Sequence, residues 1–295
     1  MHRKGLKALT CWREGFLGFC LKYFCDFRDF CVTFKIKIVS LCRQIVFNMK
    51  QLTLCLLLMF GLTVCSQEIP DTYEVDVFTT PGGKSVEFHA LVHASIRIVY
   101  NGWQIYVDPV TKLGQRTIDY TAMPKADGIL VTHEHGDHFD QEAIQLLSHD
   151  NTYFVTNRRC ADMYGSGYTV SNGDDIRATE DIRLQVVPAY NTTPGREQFH
   201  PKGRDNGYIL TLDGLRIYIA GDTEDIPEME DIKDIDIAFL PCNQPYTMTT
   251  DQLVRAAKII KPKVLFPYHY GQTDVSGLPA LLQSEGIDVR LRHYE

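Results

Sequence analysis

One segment of the sequence, residues 126–138, joins a buried-strand pattern to a dense group of side chains that bind metal ions. Residues 126–131 are mostly apolar and end in Ile-Leu-Val, which is typical of a buried strand. The loop that follows carries His133, His135, Asp137 and His138, and imidazoles and carboxylates are ligands of zinc and similar divalent ions. Because residues two apart in an extended loop point the same way, the His-x-His pair can hold one ion. Asp137 and His138 then turn toward a second ion.

The motif His133-x-His135-x-Asp137-His138 resembles that of the metallo-β-lactamase superfamily of hydrolases. The similarity extends from about Val75 to the C-terminus and is strongest to a lactonase-like branch that contains L-ascorbate-6-phosphate lactonase. The resemblance implies an α+β fold, a four-layer αββα sandwich of the metallo-β-lactamase type with two sheets face to face and helices outside. It also implies that residues 70–295 form one hydrolase domain.

The resemblance implies further ligands at later strand ends. Asp222 follows Gly221 at the end of a strand, where the superfamily supplies a carboxylate between two ions. His269 stands where the superfamily supplies its last ligand, and we assign it to the second ion. The predicted metal ligands are therefore His133, His135, Asp137, His138, Asp222 and His269.

The chain departs from the superfamily pattern after the strand that ends near Pro188. Where a histidine ligand is usual, the sequence has Tyr190-Asn191, and the nearest histidine is His200. His200 could complete the shell of the first ion, face the substrate, or lie exposed in its loop. Tyr190 and Asn191 are candidates for the same position or for substrate binding, and the sequence leaves these alternatives open.

Four more residues are candidates to lie around the metal ions or to bind substrate. Asp108, at a strand end below the metal loop, is expected to hold a ligand histidine by its far nitrogen. His93 is either a pocket residue or a histidine satisfied within the core. Asn243 and Tyr246 lie in a loop at the same sheet edge and are candidates to hold substrate.

The donor set predicts two divalent ions, and the resemblance implies a hydrolytic enzyme. Oxygen and nitrogen ligands suit zinc, which we favour, or manganese. His135 stands where flavodiiron members of the superfamily carry a glutamate, which argues against a redox di-iron centre. Two ions lower the pKa of a shared water, so hydroxide would attack a small-molecule lactone, ester, amide or phosphoester, with Asp137 orienting the nucleophile.

The charge distribution argues against nucleic-acid substrates. Residues 1–48 hold 9 Lys and Arg against 3 Asp and Glu, which leaves 21 against 34 in the remainder. An acidic body lacks the basic face that nucleic acid needs, so a nuclease or phosphodiesterase of the same superfamily is a weaker alternative. A third alternative is a secreted metal-binding protein without turnover, because Tyr190-Asn191 replaces an expected ligand. The sequence does not indicate the oligomeric state.

Residues 49–65 have the pattern of an export signal. Met49-Lys50-Gln51 precedes the apolar run 52–64, and small residues follow. Cys65 resembles the acylated cysteine of a bacterial lipoprotein, which would anchor the protein to a membrane by lipid. We therefore expect an exported protein, periplasmic or lipid-anchored, and a cytoplasmic one if this segment is instead a buried helix. Residues 1–48 are interpreted as a disordered or non-native N-terminal extension.

Hydrophobic patterns predict strands that alternate with short helices. One long strand is expected over residues 86–100, with a hairpin turn at Asn101-Gly102 after it. Asp140 is a predicted N-cap, and either Thr249 or Thr250 caps a later helix. Helices are predicted over residues 140–148, from this cap to about residue 260, and over 278–284.

Overall fold

The computed structural model describes residues 73–294 of the chain. The predicted extension over residues 1–48, the predicted export signal over 49–65 and the candidate lipid site at Cys65 lie outside the described residues. Among the residues that are described, no helix combines the length and the apolar character needed to cross a bilayer.

Short strands make up most of the regular structure, and four helices lie between them. In chain order the strands are β1 (Val75–Thr79), β2 (Ser85–Val92), β3 (Ser95–Tyr100), β4 (Trp103–Val107), β5 (Lys112–Leu113), β6 (Arg116–Thr117), β7 (Gly128–Val131), β8 (Tyr153–Thr156), β9 (Tyr168–Thr169), β10 (Asp175–Arg177), β11 (Ile182–Ala189), β12 (Asp205–Leu212), β13 (Leu215–Ile219), β14 (Ile237–Pro241), β15 (Val264–Tyr268) and β16 (Asp288–Val289). The α-helices are α1 (Gln141–Leu147), α2 (Arg158–Tyr164), α3 (Thr250–Ile260) and α4 (Leu278–Leu282). Single 3-10 turns occupy Tyr120–Ala122, Pro227–Asp231 and Gln283–Glu285.

Two mixed seven-stranded sheets form the framework. The first has the order β1-β2-β3-β4-β7-β8-β9, the second runs from β10 to β16 in sequence order, and β5 and β6 form a separate pair. An apolar layer between the sheets includes Ile98, Leu210 and Phe239. Helix α1 packs on the outer face of the first sheet through Ile144, and α3 packs on the second through Leu253. This arrangement confirms the predicted αββα sandwich.

The helix ends follow local hydrogen-bonding rules. The Asp140 side chain accepts hydrogen bonds from the backbone N–H groups of residues 142 and 143, which confirms the predicted N-cap of α1. Thr249 caps α3 and forms a reciprocal capping box with Gln252, which decides between the two threonines. The last predicted helix is shorter than expected, because α4 ends at Leu282 and tightens into a 3-10 turn. Helix α2 was not predicted.

The prediction of one continuous strand over residues 86–100 is wrong, because the chain turns back on itself at His93-Ala94 and forms two strands. Strands β2 and β3 pair antiparallel, with Val92 opposite Ser95. His93 takes a left-handed backbone conformation with φ of 55°. Of the residues that usually mark a turn, the segment contains Ser95 but no Gly, Pro, Asn or Asp. The following turn, at Asn101-Gly102, is confirmed, with φ of 48° and 86°.

The strands that precede the candidate ligands end at one edge of the sandwich. Strands β4 and β7 run parallel, as do β13, β14 and β15, so their carboxyl ends meet. The two sheets are joined at this edge by backbone hydrogen bonds and by the Tyr208 hydroxyl, which donates to the carbonyl of Val131 at 2.7 Å. Asn206 N–H donates to the carbonyl of Thr132 at 3.1 Å.

Gly221 is required where the chain leaves β13 toward Asp222. Its φ is 65°, and a Cβ there would lie 2.8 Å from the Asn206 carbonyl oxygen. We expect Gly221→Ala to lower the free energy of unfolding by about 2–4 kcal/mol, because it combines backbone strain with a backbone clash. Gly277→Ala is the control, since its Cβ meets nothing within 4 Å. Equal urea midpoints for the two variants would contradict this expectation.

Candidate metal centre

Eight side chains form two adjacent groups at this edge of the sandwich. Within each group, one donor atom from every residue lies within 4.8 Å of the others. The structure thus brings together the six predicted ligands and adds two histidines. Site A consists of His133, His135, His200 and Asp222. Site B consists of His93, Asp137, His138 and His269.

In site A, a chain of hydrogen bonds fixes the orientation of His133. The Thr132 backbone N–H and hydroxyl both donate to the Asp108 carboxylate at 2.8 Å. The Thr132 hydroxyl oxygen can therefore accept a hydrogen bond from the Nδ1–H of His133, which lies 2.9 Å away. This leaves the lone pair of His133 Nε2 facing the site, 3.0 Å from His135 Nδ1.

His200 lies inside site A, with 1% of its surface exposed. Its Nε2 is 3.3 Å from Asp222 Oδ2. On its other side, Nδ1 is 2.9 Å from the buried carboxylate of Asp205, which Arg204 also binds. The Asn191 backbone N–H donates to the carbonyl of His200 at 2.8 Å. Of the alternatives for His200, exposure in a loop is therefore wrong.

Tyr190 and Asn191 contact neighbouring loops. The Tyr190 hydroxyl donates to Glu228 at 2.7 Å. The Asn191 side-chain amide donates to the carbonyl of Tyr246 at 2.7 Å, which ties the loop carrying His200 to the 243–247 loop. The Asn191 Oδ1 atom is buried and has no hydrogen-bond partner within residues 73–294. A substrate contact by Asn191 stays a prediction.

In site B, Asp108 orients His138. Asp108 Oδ2 lies 2.8 Å from His138 Nδ1, so the carboxylate holds the far nitrogen and His138 Nε2 faces the site. Asp108 takes φ of 44°, which turns its backbone from the end of β4 toward the metal loop. Asp137 Oδ2 lies 3.5 Å from His269 Nε2 and 3.3 Å from His93 Nε2.

Asp222 stands between the two sites. Its Oδ1 is 3.3 Å from His138 Nε2, and its Oδ2 is 3.3 Å from His269 Nε2. The same Oδ2 is 3.3 Å from His200 Nε2 in site A. A carboxylate with histidines of both sites at these distances is positioned to bridge two cations.

The buried atoms of these residues fit a pair of cations. His138 Nε2, His269 Nε2 and Asp222 Oδ1 are buried and lack a hydrogen-bond partner within the described part of the chain. Buried polar atoms are normally paired, so such a cluster indicates a missing ligand. Ligands at about 2.0–2.1 Å from a tetrahedral zinc lie about 3.3 Å apart, which matches the inward contacts of Asp222. The outward contacts to Asp108 and Asp205, at 2.8 and 2.9 Å, are instead hydrogen-bond lengths.

Charges within the site shift pKa values in opposite directions. Burial by itself lowers the pKa of His269, but the Asp222 and Asp137 carboxylates outweigh it and raise that pKa to about 9. Burial, then the charge of His138, holds the pKa of His133 well below its usual value. Burial by itself raises the pKa of Asp222, but His269 and His138 outweigh it and hold that pKa well below its usual range. The carboxylates are therefore ionised, and protonated imidazoles carry positive charge that a bound cation would replace.

Four residues around site A, Glu134, Arg159, Arg204 and Asp205, were not singled out in the sequence. Glu134, in the middle of the metal motif, is nearly buried and pairs with Arg159 and Arg204. Arg204 also pairs with Asp205, which holds His200. The sequence does carry one indication of these residues, the adjacent Arg204-Asp205 pair at the start of β12. Charged residues are costly to bury unless they are paired, so their presence at the start of a buried strand indicates that they have partners there.

The two predicted substrate residues lie on the 243–247 loop. Tyr246 is 46% exposed, and its ring packs edge-on against Phe199 with 5.2 Å between ring centroids. Asn243 lies beside Gly271, where an added Cβ would approach its side-chain amide to 3.2 Å. Phe199 directly precedes His200 of site A in the sequence.

Comparison with known proteins identifies the family of this site. The sequence matches the family profile described as "Beta-lactamase superfamily domain" over residues 87–269. That range includes every residue of sites A and B. The chain belongs to the beta-lactamase superfamily. Within this superfamily it is one of the UPF0173 metal-dependent hydrolases, and it is 30% identical over 182 residues to the member from Archaeoglobus fulgidus, a match that covers 57% of this chain and 78% of the relative.

Solved structures of superfamily proteins have the same fold. A crystal structure from Parabacteroides distasonis, which carries the provisional description of metal-dependent hydrolase, is 51% identical. It aligns with a TM-score of 0.73 over 76% of this chain and 100% of that one. A metallo hydrolase from Ignicoccus hospitalis is 25% identical, with a TM-score of 0.60 over 70% of this chain and 94% of that one. The chain is thus a metal-dependent hydrolase of the metallo-β-lactamase fold.

Proposed function

We propose that the protein holds two divalent cations, zinc ahead of manganese, and hydrolyses a lactone, ester, amide or phosphoester bond in a small molecule. The observation that carries this proposal is the position of Asp222, whose carboxylate lies 3.3 Å from histidine nitrogens of both sites. Imidazole and carboxylate donors suit both metals. A pair of cations would supply Lewis acidity, which lowers the pKa of water and polarises the substrate oxygen.

Asp137 is the residue best placed to act on the nucleophile. Its side chain is 34% exposed, whereas the three histidines of site B are nearly or fully buried. Burial by itself raises the pKa of Asp137, but His138, His269 and His93 outweigh it and hold that pKa far below its usual value. The carboxylate therefore stays ionised, and it can accept a hydrogen bond from an attacking water and orient that water.

Within this reaction class, we propose a lactone as the first substrate class to test. The support is the resemblance of the His133–His138 motif and of the Val107-Asp108-Pro109 strand end to the lactonase-like branch. The acidic body supports a small molecule over a nucleic acid, because the charge outside residues 1–48 is 21 Lys and Arg against 34 Asp and Glu.

A substrate panel with and without chelator tests the proposal. Purified protein is assayed against a γ-lactone, a p-nitrophenyl ester, an anilide and bis-p-nitrophenyl phosphate, before and after treatment with EDTA. We expect chelator-sensitive hydrolysis of the lactone or ester that zinc restores. Preferred hydrolysis of the phosphodiester would favour the phosphodiesterase alternative, and two bound cations with no turnover on any substrate would favour a metal-binding protein.

The proposed metal ligands predict a pH dependence of cation binding. His269, with a pKa raised to about 9, holds a proton at neutral pH, and that proton must leave before a cation binds. The apparent affinity should therefore fall as the pH drops from about 9, and occupancy should fall below about pH 6, near the ordinary histidine pKa. Zinc titrations at pH 8 and pH 5 measure this. Equal dissociation constants at the two pH values would contradict it.

We also propose that the protein is exported, and that a lipid on Cys65 anchors it to a membrane. The support is the sequence of residues 49–65, with its basic start, apolar run and terminal cysteine. Cell fractionation with Cys65→Ser as the variant tests this. Membrane association that is lost in the variant is the expected result, and a cytoplasmic protein with residues 49–65 intact would contradict export.

A further inference from the structure

We propose that His93 is a direct ligand of the cation in site B. The inference rests on the two-cation site proposed above and deepens it, because it gives site B a protein ligand outside the His133–His138 motif and its usual partners. It also assigns His93, for which the sequence left a pocket role and a core role open.

The backbone holds His93 in an unusual conformation at the edge of site B. Its φ is 55°, a left-handed conformation that few non-glycine residues adopt. The His93 N–H donates to the carbonyl of Tyr294 at 2.8 Å, and its carbonyl accepts from the N–H of His269 at 3.1 Å. The second hydrogen bond joins His93 to another candidate ligand, so one contact between the sheets holds the backbones of both residues.

The imidazole of His93 points into the site. Only 5% of the residue is exposed, and its ring centroid lies 3.7 Å from that of His269. His93 Nε2 is 3.3 Å from Asp137 Oδ2. Two ligands of a tetrahedral zinc are separated by about the same distance.

The convergence on one oxygen favours a cation over hydrogen bonds alone. Asp137 Oδ2 is approached by His93, His269 and His138 at 3.3, 3.5 and 3.9 Å. These distances are longer than good hydrogen bonds, and they suit donor atoms arranged around one cation. A cation among the four atoms satisfies every one of them at once.

His93 makes the two sites unequal. Site A has three imidazoles and shares Asp222, whereas site B has three imidazoles and its own Asp137 and can share Asp222 as well. With one more protein ligand, site B should bind its cation more tightly and fill first during titration.

Zinc titration of metal-free protein tests the role of His93. Competition with a chromophoric chelator gives both dissociation constants, and cobalt(II) absorption reports the coordination number. His93→Ala should weaken the tighter site by more than about 100-fold, beyond the 10- to 100-fold cost of losing an orienting partner. His93→Gln keeps a donor for Asp137 but offers a poor zinc ligand, so it should bind as weakly as His93→Ala. His89→Gln is the matched control, because His89 is buried on β2, the strand that leads into His93, and pairs with Glu87 outside both sites.

The outcomes separate this inference from the proposed function. Near wild-type affinity and an unchanged cobalt spectrum in His93→Gln would overturn the ligand role and leave a hydrogen bond to Asp137. If the wild-type protein binds only one cation, the two-cation proposal fails. The ligand role of His93 is then supported if both His93 variants lose that cation, and contradicted if either variant retains it. Thermal melting of each metal-free variant checks that it is folded.

Discussion

Asp222→Asn is expected to lower kcat/KM by at least about 1,000-fold on whichever panel substrate is hydrolysed, which corresponds to about 4 kcal/mol of transition-state stabilisation. The substitution keeps the size of the side chain and removes the charge that lies 3.3 Å from His138, His200 and His269. Both sites lose their shared ligand, so the bound metal should fall below two equivalents. Elemental analysis after gel filtration, together with steady-state kinetics, measures the two effects.

Asp225→Asn is the matched control for this variant. Asp225 lies three residues further along the chain and pairs with Arg255 at 2.7 Å. We expect the control to retain two cations and kcat/KM within about 3-fold of the wild type, since substitutions away from special features have small effects. Two tightly bound cations and nearly full activity in Asp222→Asn would contradict a bridging role.

The second large loss of metal binding and activity is expected from His200→Ala. His200 supplies one of the three imidazoles of site A, so its loss should weaken the site A cation by at least about 100-fold and lower kcat by about 100- to 1,000-fold. Site B should keep its cation, because its own four residues do not include His200, which lies beside the shared Asp222. One retained equivalent of zinc is therefore the expected stoichiometry.

Two neighbouring variants test how His200 is held. Asp205→Asn removes the carboxylate 2.9 Å from His200 Nδ1 and should weaken site A by about 10- to 100-fold, less than loss of the ligand itself. Lys202→Ala lies in the same loop with its side chain exposed and should leave metal binding unchanged. An unchanged number of bound cations and unchanged activity in His200→Ala would show that His200 is not a metal ligand.

The position of the site could be predicted from the sequence because ligand types follow strands. Residues 126–131 indicated a buried strand, and the His-x-His-x-Asp-His order after it indicated two ions. Asp222 and His269 also follow strands, and strands that run parallel deliver their ends to one edge. The metal loop therefore followed from a short residue pattern, whereas the αββα fold and the later ligands followed from the resemblance to the superfamily.

The contacts made by loops could not be predicted in the same way. His200 reaches site A because Asp205 and the Asn191 backbone fix an irregular loop, and no periodic pattern describes such a loop. The turn at His93 was also missed, because its position depends on hydrogen bonds to Tyr294 and His269, which are far away in the sequence. Both histidines were recognised as candidates, but only their three-dimensional neighbours assign each to a site.

Anomalous diffraction at the zinc absorption edge, on crystals of the zinc-loaded protein, tests the central claim most directly. We predict two peaks about 3.5–4 Å apart on either side of Asp222. One peak should lie about 2.0–2.2 Å from the donor atoms of His133, His135 and His200, and the other at the same distance from those of Asp137, His138 and His269. A single peak, or peaks remote from Asp222, would contradict a two-cation hydrolase.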